Sequence, residues 1–316
     1  MRTPLLRNLT NDNATKVCCR RIYPYRGSTE RSVALRYVKT ADEIRTIQSI
    51  SATSHNIDVR TLAVTFETTP EAIATLLPPP LEPTPEALGL AWISDLGTST
   101  CVGPYQSAAV FLRARYQNTI GNYCLSMAVS IPEAVTFGRE FYGEPRKHAK
   151  LIFERQDEYV WGSAERYEIR FLSLRGRMTD SAPAGRQQAT YFTFKHSPRP
   201  DGGGFANPPQ LVQINEDLTV QHAEAGRGEL VLRDSVHDPV SDIPVSQVIG
   251  AAYTEGHVYS TASVLCEVDP EAFLPFAFTG LDALDEIADS TVIRAQAARQ
   301  GRDGRGRWRQ STNSAA

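Results

Sequence analysis

The side chains of this sequence that could carry covalent chemistry are few, because lysine is rare in it. Of the 33 lysines and arginines, only Lys16, Lys39, Lys147, Lys150 and Lys195 are lysines. A neutral lysine amine attacks a carbonyl carbon and forms an imine, which then draws electrons from a neighbouring carbon–carbon bond. If the chemistry of this protein uses an amine, one of these five residues supplies it.

Metal, nucleic-acid and membrane functions have little support. The five cysteines form no Cys-x-x-Cys pair and the six histidines show no His-x-x-x-His spacing, so we expect free thiols, no metal and no cofactor. A net charge of −3 gives no basic footprint for nucleic acid. No apolar run reaches the roughly 18 residues of a membrane span, and no secretory signal is visible. We therefore expect a soluble, cytoplasmic protein in a reducing compartment.

The elements that must position any site are mostly β-strands, because period-two alternation dominates the chain. Between residues 59 and 66 the apolar residues at even positions share a face with Arg60, which we therefore expect to point inward. Many short strands with few helices predict a mainly β (α+β) fold built on a closed or sandwiched antiparallel sheet. The strand-like runs are Val59–Phe66, Ala108–Tyr116, Asn122–Val129, Glu158–Trp161, Tyr167–Leu174, Thr190–Phe194, Leu211–Asn215, Glu229–Arg233 and Val258–Glu267.

Helical patterns are few but well delimited. One predicted helix begins at Pro70 and stops before Pro78, and a second begins at Pro132 and runs through Phe141. A third is predicted from about Asp282 to residue 300.

The composition of the termini predicts three regions. Residues 1–40 are an N-terminal extension of uncertain order, residues 41–296 form one domain, and residues 297–316 are an Arg/Gly-rich disordered tail.

The segment Gly138–Ala149, GREFYGEPRKHA, resembles the GRE…PKK motif of the acetoacetate decarboxylase family and reads GRE…PRK here. Further similar segments follow in the family's order across residues 55–275. This resemblance implies a closed, antiparallel, cone-like β-barrel with a few outer helices, usually in a homo-oligomer. The further segments are PPPLE at 78–82, Gly103–Tyr105, Tyr191–Pro198 and Gly228–Val245.

The resemblance also implies functional residues, and several of them differ in this chain. In the family the first lysine of PKK forms an imine with a ketone, and the second lowers the pKa of the first. The first position here is Arg146, whose guanidinium cannot form that imine, whereas Lys147 keeps the second. The family's acid two positions after the tyrosine of its GxY segment is matched by Ser107, which follows Tyr105 and Gln106.

Two further positions of the family's pocket can be matched. Arg60 matches an arginine that holds the substrate carboxylate, and Ala91 stands where the family has a second acid. With both family acids lost, the candidates for proton transfer are His148, Tyr105, Tyr253 and Glu255.

Lys147 is the candidate nucleophile if an imine forms at this motif. Its amine has an ordinary pKa of about 10.4 and must be shifted down to react at neutral pH. A cation about 4 Å away, at an effective dielectric constant of about 20, contributes on the order of 4 kcal/mol, or roughly three pKa units. Arg146 could supply that charge if both side chains face one desolvated cavity. On a regular strand, however, neighbouring side chains point to opposite faces.

The sequence therefore predicts a decarboxylase or related carbon–carbon lyase that acts on an oxo-acid through a lysine imine, in specialised metabolism. Lys147 and Arg146 are the predicted catalytic residues, and the small-molecule oxo-acid is the predicted partner. An aldolase or dehydratase using the same pocket, or a non-catalytic protein that binds an oxo-acid or hydrophobic ligand, is the alternative. The predicted substrate-binding residues are Arg60, Tyr105, Gln106, Ser107 and Tyr253.

Overall fold

The computed structural model describes residues 36–291. Within that range twelve strands form one sheet, which lies in the unit that begins at Arg45. The strands are β1 (Ser54–Glu67), β2 (Glu82–Pro83), β3 (Leu88–Ser99), β4 (Tyr105–Tyr116), β5 (Thr119–Val129), β6 (Arg146–His148), β7 (Lys150–Gln156), β8 (Tyr159–Arg166), β9 (Ile169–Ser181), β10 (Gly185–Lys195), β11 (Gln210–Leu232) and β12 (Gln247–Glu267).

Seven of these strands close into a barrel. They follow the order β10-β5-β4-β3-β1-β12-β11, and β11 pairs with β10 to complete the ring. All pairings around the ring are antiparallel except the short parallel contact between β5 and β10. Closure leaves no free sheet edge around the ring. The predicted closed, mainly antiparallel barrel is thereby confirmed.

The longest strand, β11, extends beyond the barrel and carries a second layer. The distal half of β11, from Glu224 to Leu232, pairs with β9, and the sheet continues through β8 to β7. This outer layer packs against the barrel wall and buries Phe153, Phe171 and Leu172 in the same core as Leu62 and Phe66 of β1.

Strand β1 is consequently buried on both faces. Its even-numbered residues, including Leu62, pack into the core under the outer layer, whereas the odd-numbered Thr61 and Ala63 face the barrel interior. Arg60 shares the face of Leu62, as expected, but that face points away from the interior. The expectation that Arg60 faces the pocket was wrong, because alternation cannot distinguish a face covered by another layer from a face lining a cavity.

The described helices are short, and two of them, α2 (Pro70–Leu76) and α3 (Pro132–Phe137), lie between strands. The first two predicted helices are present, and the second continues into a π-helical turn. A further helix begins at residue 284, close to the third prediction, and its predicted extension to 300 lies outside the described residues. The helical elements are α1 (Ala41–Ala52), α2 (Pro70–Leu76), α3 (Pro132–Phe137) with its π-helical turn (Gly138–Tyr142), a 3₁₀ turn (Val240–Asp242), and α4 (Pro270–Phe273) with a 3₁₀ turn (Leu274–Phe276).

Most of the predicted N-terminal extension, and all of the predicted tail at 297–316, lie outside the described residues. Within residues 36–291, none of the helices combines the length and apolar character that a membrane crossing requires.

Candidate active site

The interior of the barrel is a cavity of about 280 Å³ to which all seven ring strands contribute. Ligand pockets in proteins commonly measure roughly 300–1,000 Å³, so this cavity suits a small molecule. Its wall is largely apolar and aromatic, with Trp92, Leu96 and Phe111 among its members. Three charged side chains line it within the described chain, namely Glu144, Arg146 and Glu216.

The chain enters this cavity through an irregular turn. After α3 the backbone widens into the π-helical turn, a feature frequent at functional sites. Gly143 then adopts the left-handed conformation with φ of 69°, and a Cβ there would lie 2.6 Å from the backbone nitrogen of Lys195. Only glycine fits this approach. The turn delivers β6 alongside β5 in parallel, with Arg146 opposite Met127, which also lines the cavity.

Arg146 is the cation of the cavity and is held on several sides. Its Nε lies 2.8 Å from Oε2 of Glu144, with side-chain exposures of 8% and 9%, and its Nη1 donates to the carbonyl oxygen of Ala134 at 2.9 Å. Its guanidinium stands 5.8 Å from the centre of the Tyr105 ring. Burial alone would lower the pKa of Arg146, but Glu144 and Tyr105 outweigh burial and raise it. The guanidinium is therefore a permanent charge.

Gly138 makes room for this ion pair. A Cβ on Gly138 would lie 2.2 Å from Nε of Arg146 and 2.5 Å from Oε2 of Glu144. The glycine that opens the GRE motif thus allows the helical turn to pack directly on the charged pair.

Glu216 is the second carboxylate of the cavity. It projects from β11 and accepts a hydrogen bond from Oγ of Ser260 at 3.3 Å. It lines the cavity and is half-buried, and the surrounding protein desolvates it. Burial, followed by the negative charge of Glu144, raises the pKa of Glu216 to about 7, against opposition from Ser260 and Arg146. Burial likewise raises the pKa of Glu144, and Arg146 opposes that rise.

The structure brings together three of the predicted site residues, Arg146, Tyr105 and Ser107, all of which line the cavity. Burial raises the pKa of Tyr105, which keeps its hydroxyl available as a hydrogen-bond donor.

Lys147 lies on the opposite side of β6 from Arg146, outside the barrel. Its Nζ donates to the carbonyl oxygen of His237 at 2.5 Å and lies 3.3 Å from Oδ1 of Asp238 and 3.9 Å from Oδ1 of Asp282. Burial lowers the pKa of Lys147, whereas Asp238 opposes the shift. The lysine lines a separate outer pocket of about 550 Å³. The two motif cations therefore do not share a cavity.

The other three predicted substrate-binding residues also point away from the cavity, which corrects those predictions. Arg60 forms an ion pair with Asp95 at the surface. Tyr253 lies directly opposite Leu62 in the pairing of β12 with β1 and points to the same face of the sheet. Its hydroxyl donates to Glu255 at 2.5 Å. Gln106 alternates with Tyr105 and Ser107 on β4, so its side chain lies on the outer face.

Among the candidate proton-transfer residues, only Tyr105 lines the cavity. His148 is exposed, and its Nε2 lies 3.2 Å from the carbonyl oxygen of Ser130. The position of the missing second acid, Ala91, packs in the core under the outer layer.

Sequence reasoning missed both carboxylates of the cavity, although a pattern pointed to each. Glu144 precedes Arg146 by two positions, which places both on one side of an extended segment. Glu216 alternates with Ile214 and Leu218, which also line the cavity, so a carboxylate interrupts an apolar face. The predicted strand ended at Asn215, one residue too early to reveal this.

Among the lysines between residues 36 and 291, none lines the cavity, so its described wall offers no amine for an imine. That same part of the chain contains no cluster of three or more histidine, cysteine, aspartate or glutamate side chains suited to a metal ion.

Known proteins resemble this chain in both sequence and fold. The family model described as Acetoacetate decarboxylase (ADC) matches residues 44–266, more than half of the chain. The acetoacetate decarboxylase of Burkholderia ambifaria (strain MC40-6) is 25% identical over 203 residues, which cover 62% of this chain and 81% of that protein.

Solved structures share the barrel. Acetoacetate decarboxylase from Legionella pneumophila superposes with a TM-score of 0.63 and 21% identity, over 68% of this chain and 87% of that one. The enduracididine biosynthesis enzyme MppR, complexed with pyruvate, superposes with a TM-score of 0.57 and 14% identity, over 68% and 91% of the respective chains. At these identities the likeness establishes the fold.

Proposed function

Because this chain belongs to the acetoacetate decarboxylase family, we propose that it is an oxo-acid lyase that binds its substrate inside the barrel and reacts without a lysine imine. The observation that carries the proposal is the buried Arg146, held by Glu144 beside Tyr105 in the cavity. This arginine stands at the motif position where the family has its imine-forming lysine. The site thus keeps a positive charge at the reacting centre but replaces the amine.

A guanidinium can support loss of CO2 from a β-keto acid by another route. When the carbon–carbon bond breaks, its electron pair moves toward the ketone and forms an enolate. Arg146 and the Tyr105 hydroxyl are hydrogen-bond donors that stabilise negative charge on the enolate oxygen. Fixed donors of this kind in a water-poor site contribute roughly 100- to 1,000-fold in rate each. The apolar wall also destabilises the substrate carboxylate relative to the neutral product CO2.

The wall of the cavity favours an oxo-acid larger than acetoacetate. Trp92 and Phe111 lie with their ring centres 5.7 Å apart, and Tyr191 extends this aromatic surface, 4.9 Å from Phe111. Such a surface binds an apolar or aromatic substituent, because removing apolar area from water is favourable.

The test combines turnover with borohydride trapping on a panel of β-keto acids. We expect wild-type protein to release CO2 from at least one acid and to yield no reduced adduct on any lysine. Arg146→Gln should lower kcat/KM about 100- to 1,000-fold. Arg115→Gln is the matched control, because Arg115 forms only a surface ion pair with Glu82.

Arg146→Lys, treated at a raised pH at which part of its amine is neutral despite Glu144, is the positive control for trapping. It places an amine in the cavity, so an adduct in this variant shows that substrate and borohydride reach the site. An adduct on Lys147 of the wild-type protein would overturn the imine-free proposal, and binding without turnover would favour the non-catalytic alternative.

Imine chemistry at Lys147 is the second candidate function. It is favoured by the partial burial of this lysine beside the outer pocket, which lowers its pKa. The ion-pair partners of Lys147 oppose imine formation, because they hold its amine in the protonated form. Peptide mapping after trapping decides between the two sites.

Aldol cleavage or dehydration, a role in specialised metabolism and assembly into a homo-oligomer stay predictions. Adding β-hydroxy ketones to the panel checks the alternative reactions, and sedimentation velocity measures the assembly.

A further inference from the structure

The cavity is lined by one carboxylate besides the one in the Glu144–Arg146 ion pair. Glu144 is matched by Arg146, but Glu216 has only the hydroxyl of Ser260 as a hydrogen-bond donor among the described residues. The two positions where the family keeps its acids hold Ser107 and Ala91 here. Of these two residues only Ser107 on β4 lines the cavity, so Glu216 on β11 is a carboxylate on a different strand from the matched position.

The charges facing Glu216 limit its ionisation. Arg146 on β6 attracts its carboxylate and Glu144, just before β6, repels it. Tyr105 on β4 and Tyr191 on β10 lie within electrostatic reach, and burial raises the pKa of each, so both are neutral. With both carboxylates ionised, the cavity would carry one positive and two negative charges before any substrate arrived.

An oxo-acid adds a further negative charge. With Glu216 ionised, the loaded cavity would hold three carboxylates and one guanidinium, an arrangement that low-dielectric surroundings strongly disfavour. With Glu216 protonated, the count falls to two carboxylates and one guanidinium. Binding of an anionic substrate is therefore linked to the protonated form of Glu216.

We propose that Glu216 is the acid–base residue of the cavity and that the oxo-acid binds to its protonated form; this rests on the proposed function. When CO2 leaves, the electron pair of the broken bond becomes the enolate. The Glu216 proton then moves to the enolate carbon, which forms the ketone and leaves Glu216 as a carboxylate. A proton from solvent restores the acid after the product departs. No oxidant or cofactor is needed, because every electron pair and proton is accounted for.

The decisive variant is Glu216→Gln, which keeps the shape and removes the transferable proton. We expect it to lower kcat about 100-fold or more, the usual range for loss of general acid catalysis. Asp217→Asn is the matched control, because Asp217 is the next residue of β11, lies exposed on the other face and binds Gln188 at 2.9 Å. It makes the same carboxyl-to-amide change and should leave kcat unaltered.

Two readouts separate proton transfer from a structural role. In wild-type protein kcat/KM should be constant at low pH and fall as the pH rises through about 7, whereas Glu216→Gln should lose this dependence. In D2O, wild-type protein should exchange the α-hydrogens of the ketone product, because the carboxylate removes them in the reverse step. Glu216→Gln should not, even though it still binds the ketone.

The outcomes distinguish this inference from the function on which it rests. If wild-type protein is active and Arg146→Gln is not, but Glu216→Gln keeps the wild-type rate and pH profile, Glu216 is not the acid and the proposed function stands. If wild-type protein converts none of the acids, both fail. The infrared carbonyl stretch of a protonated carboxyl gives a check independent of turnover. At pH 6 the spectrum of wild type minus that of Glu216→Gln should show this band, because carboxyls common to both proteins cancel, and a difference spectrum without it would overturn the assignment.

Discussion

Two ionic groups lie on opposite sides of β6, and their charges are balanced differently. Outside the barrel, Lys147 and Arg166 meet Asp238 and Asp282, so two cations face two carboxylates. Both nitrogens of the Arg166 fork lie 2.7 Å from their carboxylate partners. Inside the barrel, the charged residues that line the cavity are one arginine and two glutamates.

On the proposed function, the difference separates a structural cluster from one that moves protons. Matched charges with good geometry hold loops in place. Each charged group keeps a partner of opposite charge, which stabilises its charged form. The outer cluster is of this kind and ties the segments around residues 238 and 282 to β6 and β8. The inner cluster has one carboxylate in excess, and burial, followed by the charge of Glu144, raises the pKa of Glu216 to about 7.

The largest effect should come from removing the single cation of the cavity. Arg146→Gln leaves Glu144 and Glu216 buried without a positive charge, so we expect a loss of about 3–5 kcal/mol in the free energy of unfolding. Urea denaturation measures it. Arg146→Lys keeps the charge and should recover most of the loss. Equal instability of the two variants would mean that packing of the guanidinium, not its charge, is what matters.

A smaller effect should appear in the pH dependence of stability. The pKa of Glu216 is raised from 4.5 to about 7 in the folded protein. The folded state therefore holds this proton more tightly, and the stabilisation is complete below about pH 4.5 and lost as the pH rises through about 7. At about 1.4 kcal/mol per pH unit, wild-type protein should lose about 3 kcal/mol over this range relative to Glu216→Gln.

This comparison isolates one group, because other titrating residues are common to both proteins. Urea denaturation at a series of pH values measures the difference. If the stability curves of the two proteins are parallel, the proton that the folded state holds more tightly is not on Glu216. The contrast between the inner and outer clusters would then be lost.

Packing around the inner pair gives a third test. In Gly138→Ala the new methyl group would overlap Nε of Arg146 and Oε2 of Glu144. Overpacking of this kind costs about 1–3 kcal/mol, and displacement of Arg146 should lower kcat/KM as well. Gly203→Ala is the control, because that glycine is exposed and its nearest neighbour is the flexible Asp201 side chain at 3.2 Å. Unchanged stability and kinetics in Gly138→Ala would show that the pair has room to shift.

The comparison of the two clusters also explains what could be predicted from the sequence. Alternation and turn residues were enough for a mainly β fold, closed or sandwiched, and the family resemblance favoured closure. The GRE…PRK segment led to Arg146, and the segment at 103–105 led to Tyr105 and Ser107. Alternation failed for Arg60 because β1 has the cavity on one face and the outer layer on the other. Tyr253, opposite Leu62 on β12, lies on the same outer-layer side. The outer layer depends on pairing between distant strands such as β9 and β11, which no local pattern encodes.

The smallest effect should come from the outer cluster. In Lys147→Met, Asp238 loses one cation but keeps Arg166, whose Nη1 lies 2.7 Å from its Oδ2, and the methionine side chain still fills the apolar edge of the outer pocket. We therefore expect a loss of only about 1–2 kcal/mol in the free energy of unfolding, in the lower part of the roughly 1–3 kcal/mol that follows when a buried polar group loses one hydrogen-bond partner. Urea denaturation beside Arg146→Gln makes the comparison direct. A loss as large as that of Arg146→Gln would show that the outer cations do not substitute for each other, and the idea that a balanced cluster tolerates the loss of one member would have to be abandoned.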